Sequence, residues 1–115
     1  MQNSSYWDAL DKLVATSEVE IDRPKGTRHP KYPDMLYEVD YGYLKNTSSM
    51  DGGGIDVWRG TAPGLEIDAV MCIVDLMKRD SEIKILIGWT QDEKDKIYQI
   101  HNGSECIKGI QILRN

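Results

Sequence analysis

The sequence predicts a mainly β protein built as a small antiparallel barrel with helices packed outside it. Three observations favour this class. Apolar residues recur at every second position in several short segments, helical spacing is confined to one segment near each end, and the strand-like segments cluster instead of alternating with helices. A length of 115 residues predicts a single domain spanning 1–115.

The first sixteen residues predict an amphipathic helix. Tyr6, Leu10, Leu13 and Val14 recur at helical spacing, which places them on one face. Ser4 or Ser5 is the expected N-cap, since a serine hydroxyl accepts a bond from a free amide of the first turn. This helix is expected to cover part of the core.

Strands and loops are predicted for residues 17–61. Val19 and Ile21 alternate with charged neighbours, which is typical of a half-buried strand. Residues 23–34 contain three prolines, a glycine and four lysine or arginine residues, so they predict a cationic loop. Residues 35–44 alternate again and predict a strand with the tyrosines on one face. A glycine-rich loop then leads into a short strand over 55–58.

The second half of the chain predicts a hairpin, a helix and a final strand. Residues 67–74 and 83–87 are apolar on both faces and flank a turn at 78–81, as expected for buried strands. Thr90 with Glu93 three residues later forms a capping box that starts a helix over 90–102, and Asn102-Gly103 is expected to end it. The apolar tail at 107–113 is expected to return to the sheet.

Charge and composition exclude several classes of protein. The net charge is −5 and the isoelectric point about 4.9, which argues against nucleic-acid and anionic-membrane binding. The longest apolar run is too short to span a bilayer, and the first ten residues lack the pattern of a secretory signal. Cys72 and Cys106 lie among apolar residues and are expected to be reduced. We therefore expect a cytoplasmic protein.

Two segments carry the residue types of a phosphate site. In Asp51-Gly52-Gly53-Gly54-Ile55-Asp56, two carboxylates flank glycines that allow a sharp bend, so both could reach one hard cation such as Mg²⁺. The cationic loop adds positive charge from Lys25, Arg28 and Lys31. Taken singly, each pattern is also typical of solvated surface loops, and the tyrosine segment is also typical of core packing.

Together, these segments resemble the soluble family I inorganic pyrophosphatases. The similarity is carried by residues 18–58, where Tyr37-Glu38-Val39-Asp40-Tyr41-Gly42 corresponds to that family's tyrosine segment and Asp51–Asp56 to its acidic signature at matching spacing. Residues 66–88 resemble the family's later hairpin, with Glu82-Ile83-Lys84 after Asp80. The resemblance covers residues 90–115 only loosely.

The resemblance implies a five-stranded OB-like barrel that hydrolyses pyrophosphate with Mg²⁺, with Mn²⁺ as a second candidate. Its substrate is a small phosphate compound, and a homo-oligomer is expected. The implied metal ligands are Asp51, Asp56, Asp80 and Glu82, with Glu20 in the outer shell. The implied phosphate contacts are Lys25, Arg28, Lys31, Tyr37, Tyr41, Lys84 and Lys108. The implied catalytic residues are Asp51, Asp56, Lys25, Arg28 and Tyr41.

The sequence departs from the family pattern in the acidic signature. Gly53 replaces the central aspartate, which in the family helps bind the nucleophilic water and accept its proton, and losing such a base costs roughly 10²–10⁴ in rate. Two alternatives therefore stand beside hydrolysis of pyrophosphate. One is a catalytically impaired barrel that binds a phosphorylated ligand or nucleotide, and the other is a hydrolase of a bulkier phosphate substrate.

Overall fold

A computed structural model describes residues 3–49 and 52–114. The elements follow the chain in the order α1 (Asn3–Ala15), β1 (Val19–Arg23), β2 (Asp40–Leu44), β3 (Asp56–Arg59), β4 (Ile67–Asp75), β5 (Asp80–Ile87), α2 (Gln91–Asn102) and β6 (Ile107–Leu113). The mainly β class with a helix near each end is confirmed. In the described part, no helix is long and apolar enough to cross a bilayer.

The strands form one six-stranded sheet in the order β1-β2-β3-β5-β4-β6. Every neighbouring pair is antiparallel except β3 and β5, which run parallel. The strands β1 and β6 are the two edges, so the described sheet is open. The five-stranded antiparallel barrel is therefore not confirmed. The final strand β6 joins β4 as a sixth strand, and β3 runs parallel to β5.

The core lies on both faces of this sheet. Successive residues of the central strands, such as Val57 and Trp58, belong to two separate apolar clusters, as the alternation of a strand requires. The first cluster includes Trp7, Leu10 and Val14 of α1, and the second includes Ile97 of α2. The two helices therefore cover opposite faces.

Several local predictions need correction. Ser4 and Ser5 lie inside α1 and are not its cap, and Tyr6 is 46% exposed because its neighbour Trp7 is buried instead. The predicted end of α2 at Asn102-Gly103 is confirmed, although Gly103 has φ −82° and is not left-handed. The hairpin turn falls at 76–79, which places Asp80 in β5 opposite Asp75.

The predicted strand over 35–44 is present only as β2, from Asp40. Residues 35–37 instead fold against the cationic loop, where Leu36 forms an isolated bridge with Arg28 and the Gly26 amide donates to the Tyr37 carbonyl at 2.8 Å. Tyr37 and Val39 are nonetheless buried. Their alternation reflects packing onto the sheet and not membership of a strand.

Candidate functional site

The register of the sheet brings four of the predicted site residues together. Direct strand partners project from the same face, and Tyr43 pairs with Asp56, which pairs with Lys84. In the adjoining row of the same face, Tyr41 pairs with Trp58, and Glu82 precedes Lys84 by two residues on β5. These positions lie on the face that carries α2.

Lys84 is the centre of this arrangement. Its Nζ donates to the Tyr41 hydroxyl at 2.5 Å and to Asp56 Oδ2 at 3.0 Å, and it lies 3.3 Å from Glu82 Oε1. The side chain of Lys84 is only 10% exposed, and those of Asp56 and Glu82 are 20% and 15% exposed. We call Tyr41, Asp56, Glu82 and Lys84 the lysine cluster.

Burial shifts the pKa values of two members of the lysine cluster, Tyr41 and Glu82. Burial raises the pKa of Tyr41 far above its ordinary value, and the charge and hydrogen bond of Asp56 raise it further, so the phenol stays protonated. The pKa of Glu82 is raised by its burial and by Asp56, against the lowering effect of Lys84. The Lys84 side chain faces those of Asp56 and Glu82 in a site that excludes most water.

A row of aromatic rings leads away from the lysine cluster. The ring centroids of Tyr41 and Trp58 are 4.5 Å apart, and those of Tyr41 and Tyr37 are 5.6 Å apart. At the inner end, Trp58 Nε1 donates to Nε2 of the buried His101 at 3.2 Å. At the outer end, the Tyr37 hydroxyl accepts from Arg23 Nη1 at 2.6 Å.

The predicted cations of the loop, and Lys108 of β6, lie outside this arrangement. Lys25, Arg28 and Lys31 are exposed, and Arg28 donates to the Pro33 carbonyl at 2.9 Å. Lys108 lies on the edge strand β6, is exposed, and donates to the Asn102 carbonyl at 3.3 Å, with β4 between it and Lys84. In the structure as it stands, none of these four contacts the lysine cluster.

The predicted acidic ligands are only partly brought together. Asp56 and Glu82 share Lys84, whereas Asp80 lies at the start of β5 opposite Asp75. Glu20 shares the Tyr43 row of the sheet but forms an ion pair with Lys45 at 3.1 Å. Asp51 lies outside the described residues. Across residues 3–49 and 52–114, no three histidine, cysteine or acidic side chains group as a metal site.

The described glycines of the acidic signature have local structural roles. Gly52 adopts φ +85°, which an L side chain rarely tolerates. A Cβ on Gly54 would lie 2.7 Å from a ring carbon of Tyr43 and 2.8 Å from the Leu44 carbonyl oxygen. The Gly53 carbonyl accepts from the Ser49 amide at 2.8 Å. Gly54 therefore permits close packing on β2 and does not itself open space for a ligand.

Arg23 is the residue that the sequence patterns did not identify. Simple alternation would place it on the opposite face from Glu20. A register shift between Ile21 and Arg23 changes this, so that Glu20 pairs with Tyr43 while Arg23 pairs with Tyr41. A bulge of this kind has no clear signature in the sequence.

The sequence was also compared with known proteins. No protein-family profile matches it, and no curated protein is significantly similar to it.

Proposed function

We propose that the protein hydrolyses inorganic pyrophosphate to two phosphates in a Mg²⁺-dependent reaction. The observation that supports this most is the lysine cluster, in which a buried ammonium, a phenol and two carboxylates converge within 3.3 Å of Lys84 Nζ. A phosphoanhydride needs cations and hydrogen-bond donors where its charge develops. These are the groups that the lysine cluster supplies.

The donor set fits a magnesium ion. Carboxylate oxygens are preferred ligands of Mg²⁺, which proteins commonly hold through one or two carboxylates together with substrate phosphates. Asp56 and Glu82 are two such carboxylates close to one point in space. When bound, Mg²⁺ supplies charge neutralisation on the phosphates and lowers the pKa of a coordinated water.

The remaining residues of the lysine cluster have distinct roles in this proposal. The Lys84 ammonium can exchange its contacts with the two carboxylates for a contact with a phosphate oxygen. Tyr41 remains protonated and donates a hydrogen bond to the same substrate group. Because these side chains are largely buried, their electrostatic interactions are stronger than they would be in bulk water.

A second candidate is binding of a phosphorylated ligand or nucleotide without turnover. It is favoured by Gly53, which offers no carboxylate to accept a proton from the attacking water. It is also favoured by Lys84, which already compensates both carboxylates. Hydrolysis of a bulkier phosphate substrate has less support, since Gly54 is packed against Tyr43. The cytoplasmic location and the homo-oligomer stay predictions.

Phosphate release from pyrophosphate, with and without Mg²⁺, tests the proposed function. Loss of residues that merely orient metal ligands costs up to about 100-fold, so Asp56→Asn should lower kcat/KM by at least that amount. Asp8→Asn removes the same charge from the exposed surface of α1 and serves as the matched control. Turnover in the wild type that equals turnover in Asp56→Asn would exclude the hydrolytic function.

A further inference from the structure

Arg23 is placed to bind a phosphoryl group at the outer end of the aromatic row. We propose that its guanidinium binds one phosphoryl group of a diphosphate ligand while Lys84 binds the other. This inference rests on the proposed function for the identity of the ligand. It adds the cation that binds the phosphoryl group that Lys84 does not contact.

The contacts of Arg23 leave most of its donors available. Nη1 donates to the Tyr37 hydroxyl at 2.6 Å, and the guanidinium carbon lies 5.7 Å from the centroid of the Tyr37 ring. A guanidinium has five N–H donors, and among the described residues Tyr37 is its one hydrogen-bond partner. Within those residues it forms no ion pair with a carboxylate. This half-buried charge is therefore available to an anion.

Tyr37 holds Arg23 in place. The Tyr37 side chain is only 2% exposed and is packed between the rings of Tyr41 and His29. Its hydroxyl consequently has a fixed position, and the bond from Nη1 orients the guanidinium. A preorganised arginine loses less conformational freedom on binding a phosphate than a solvated one does.

Arg23 and Lys84 are hydrogen-bonded to two neighbouring tyrosines, Tyr37 and Tyr41, whose ring centroids are 5.6 Å apart. The strands β1 and β5 are three neighbours apart, and the register places both side chains on the same face of the sheet. Tyr37 and Tyr41 lie between the two charges. A ligand with phosphoryl groups at both ends could contact both cations, whereas a single phosphate could contact one.

The exposed cations of the loop lack these features. Arg28 is exposed and donates to the Pro33 carbonyl, and Lys25 and Lys31 are also exposed. An exposed side chain must be ordered when the ligand binds, which reduces its contribution to affinity. Arg23 is therefore a stronger candidate for the phosphate-binding arginine than Arg28.

Calorimetric titration of the full chain with imidodiphosphate, a pyrophosphate analogue that resists hydrolysis, in the presence of Mg²⁺, tests the inference without turnover. A charge-assisted hydrogen bond supports an increase in Kd of about 10- to 100-fold for Arg23→Gln. Arg23→Lys retains the positive charge but loses the planar, bidentate donors of the guanidinium, so an intermediate Kd is expected. Lys12→Gln, on the exposed surface of α1, controls for the loss of one positive charge. Arg28→Gln should have a smaller effect than Arg23→Gln.

Tyr37→Phe separates positioning from direct binding. It should weaken binding in the wild-type background and have no further effect when combined with Arg23→Gln, because Tyr37 acts through Arg23. A thermal melt of each variant identifies loss of folding. If Arg23→Gln does not fold, Arg23→Lys replaces it, and an unchanged Kd there would refute the role of the guanidinium.

The two proposals can fail independently. Arg23-dependent binding without phosphate release would support this inference and exclude hydrolysis. Turnover with a KM that Arg23→Gln leaves unchanged would support hydrolysis and exclude this inference. A wild type that binds no imidodiphosphate also overturns the assignment of Arg23.

Discussion

At the scale of single residues, Lys84 is the side chain on which the candidate site depends. Among the described residues, it is the one ionic partner of both Asp56 and Glu82, and all three side chains are largely buried. A buried charge left without its partner is costly, whereas an exposed ion pair contributes little to folding. The stability of the fold is therefore linked to the same contact as its proposed chemistry.

Lys84→Met should destabilise the metal-free protein by about 3 kcal/mol, since it leaves two carboxylates facing each other out of water. Unfolding by urea in the presence of a chelator measures this change. Adding Asp56→Asn to Lys84→Met should restore part of the stability by removing one of the unpaired charges. Lys45→Met, at an exposed pair with Glu18, should have little effect. Equal effects of the two lysine variants would contradict the buried ionic contact.

At the scale of secondary-structure elements, α2 is attached to the sheet through His101. Its Nε2 accepts from Trp58 Nε1, and burial, with a smaller contribution from the facing Lys84, lowers its pKa to about 3. The unfolded chain takes up a proton near pH 6.5, and the folded protein does so only near the lowered value. Neutral His101 therefore contributes stability above pH 6.5 that is lost as the pH falls toward 3.

The resulting prediction is a pH dependence that His101→Gln should remove. In the wild type, this histidine should contribute a slope of up to about 1.4 kcal/mol of unfolding free energy per pH unit below pH 6.5. The glutamine amide oxygen can accept from Trp58 without titrating. Urea unfolding between pH 6.5 and 5, above most carboxylate titrations, should give a flatter profile for the variant. Parallel profiles would show that His101 is not held neutral.

Elements with a local signal could be predicted from the sequence. The helix α2 was predicted because Thr90 and Glu93 form their capping box within four residues, and the structure contains both bonds. The extent of β2 could not be predicted, because buried alternation looks the same in a strand and in a loop packed on a sheet. The bulge that turns Arg23 toward Tyr41 also depends on pairing with a distant strand.

At the scale of the whole molecule, the candidate site and the N-terminal helix lie on opposite faces of the sheet. The helix α1 packs on one face, and the lysine cluster and the aromatic row lie on the other. The parallel pairing of β3 with β5, which places Asp56 beside Lys84, joins segments 28 residues apart. Such pairings have no local signature, so the sequence could indicate the candidate residues but not which of them meet.

The whole protein should be stabilised when its site is filled. A ligand at 100 times its Kd adds about 2.7 kcal/mol to the free energy of unfolding. For a domain of this size, that corresponds to an increase in Tm on the order of 10 °C. Mg²⁺ with imidodiphosphate, a pyrophosphate analogue that resists hydrolysis, should produce this shift, and either component alone should produce less. Asp56→Asn and Arg23→Gln should each reduce it, because one removes a metal ligand and the other a phosphate contact, whereas Asp8→Asn should retain it. An equal shift in all four proteins would place binding elsewhere on the molecule.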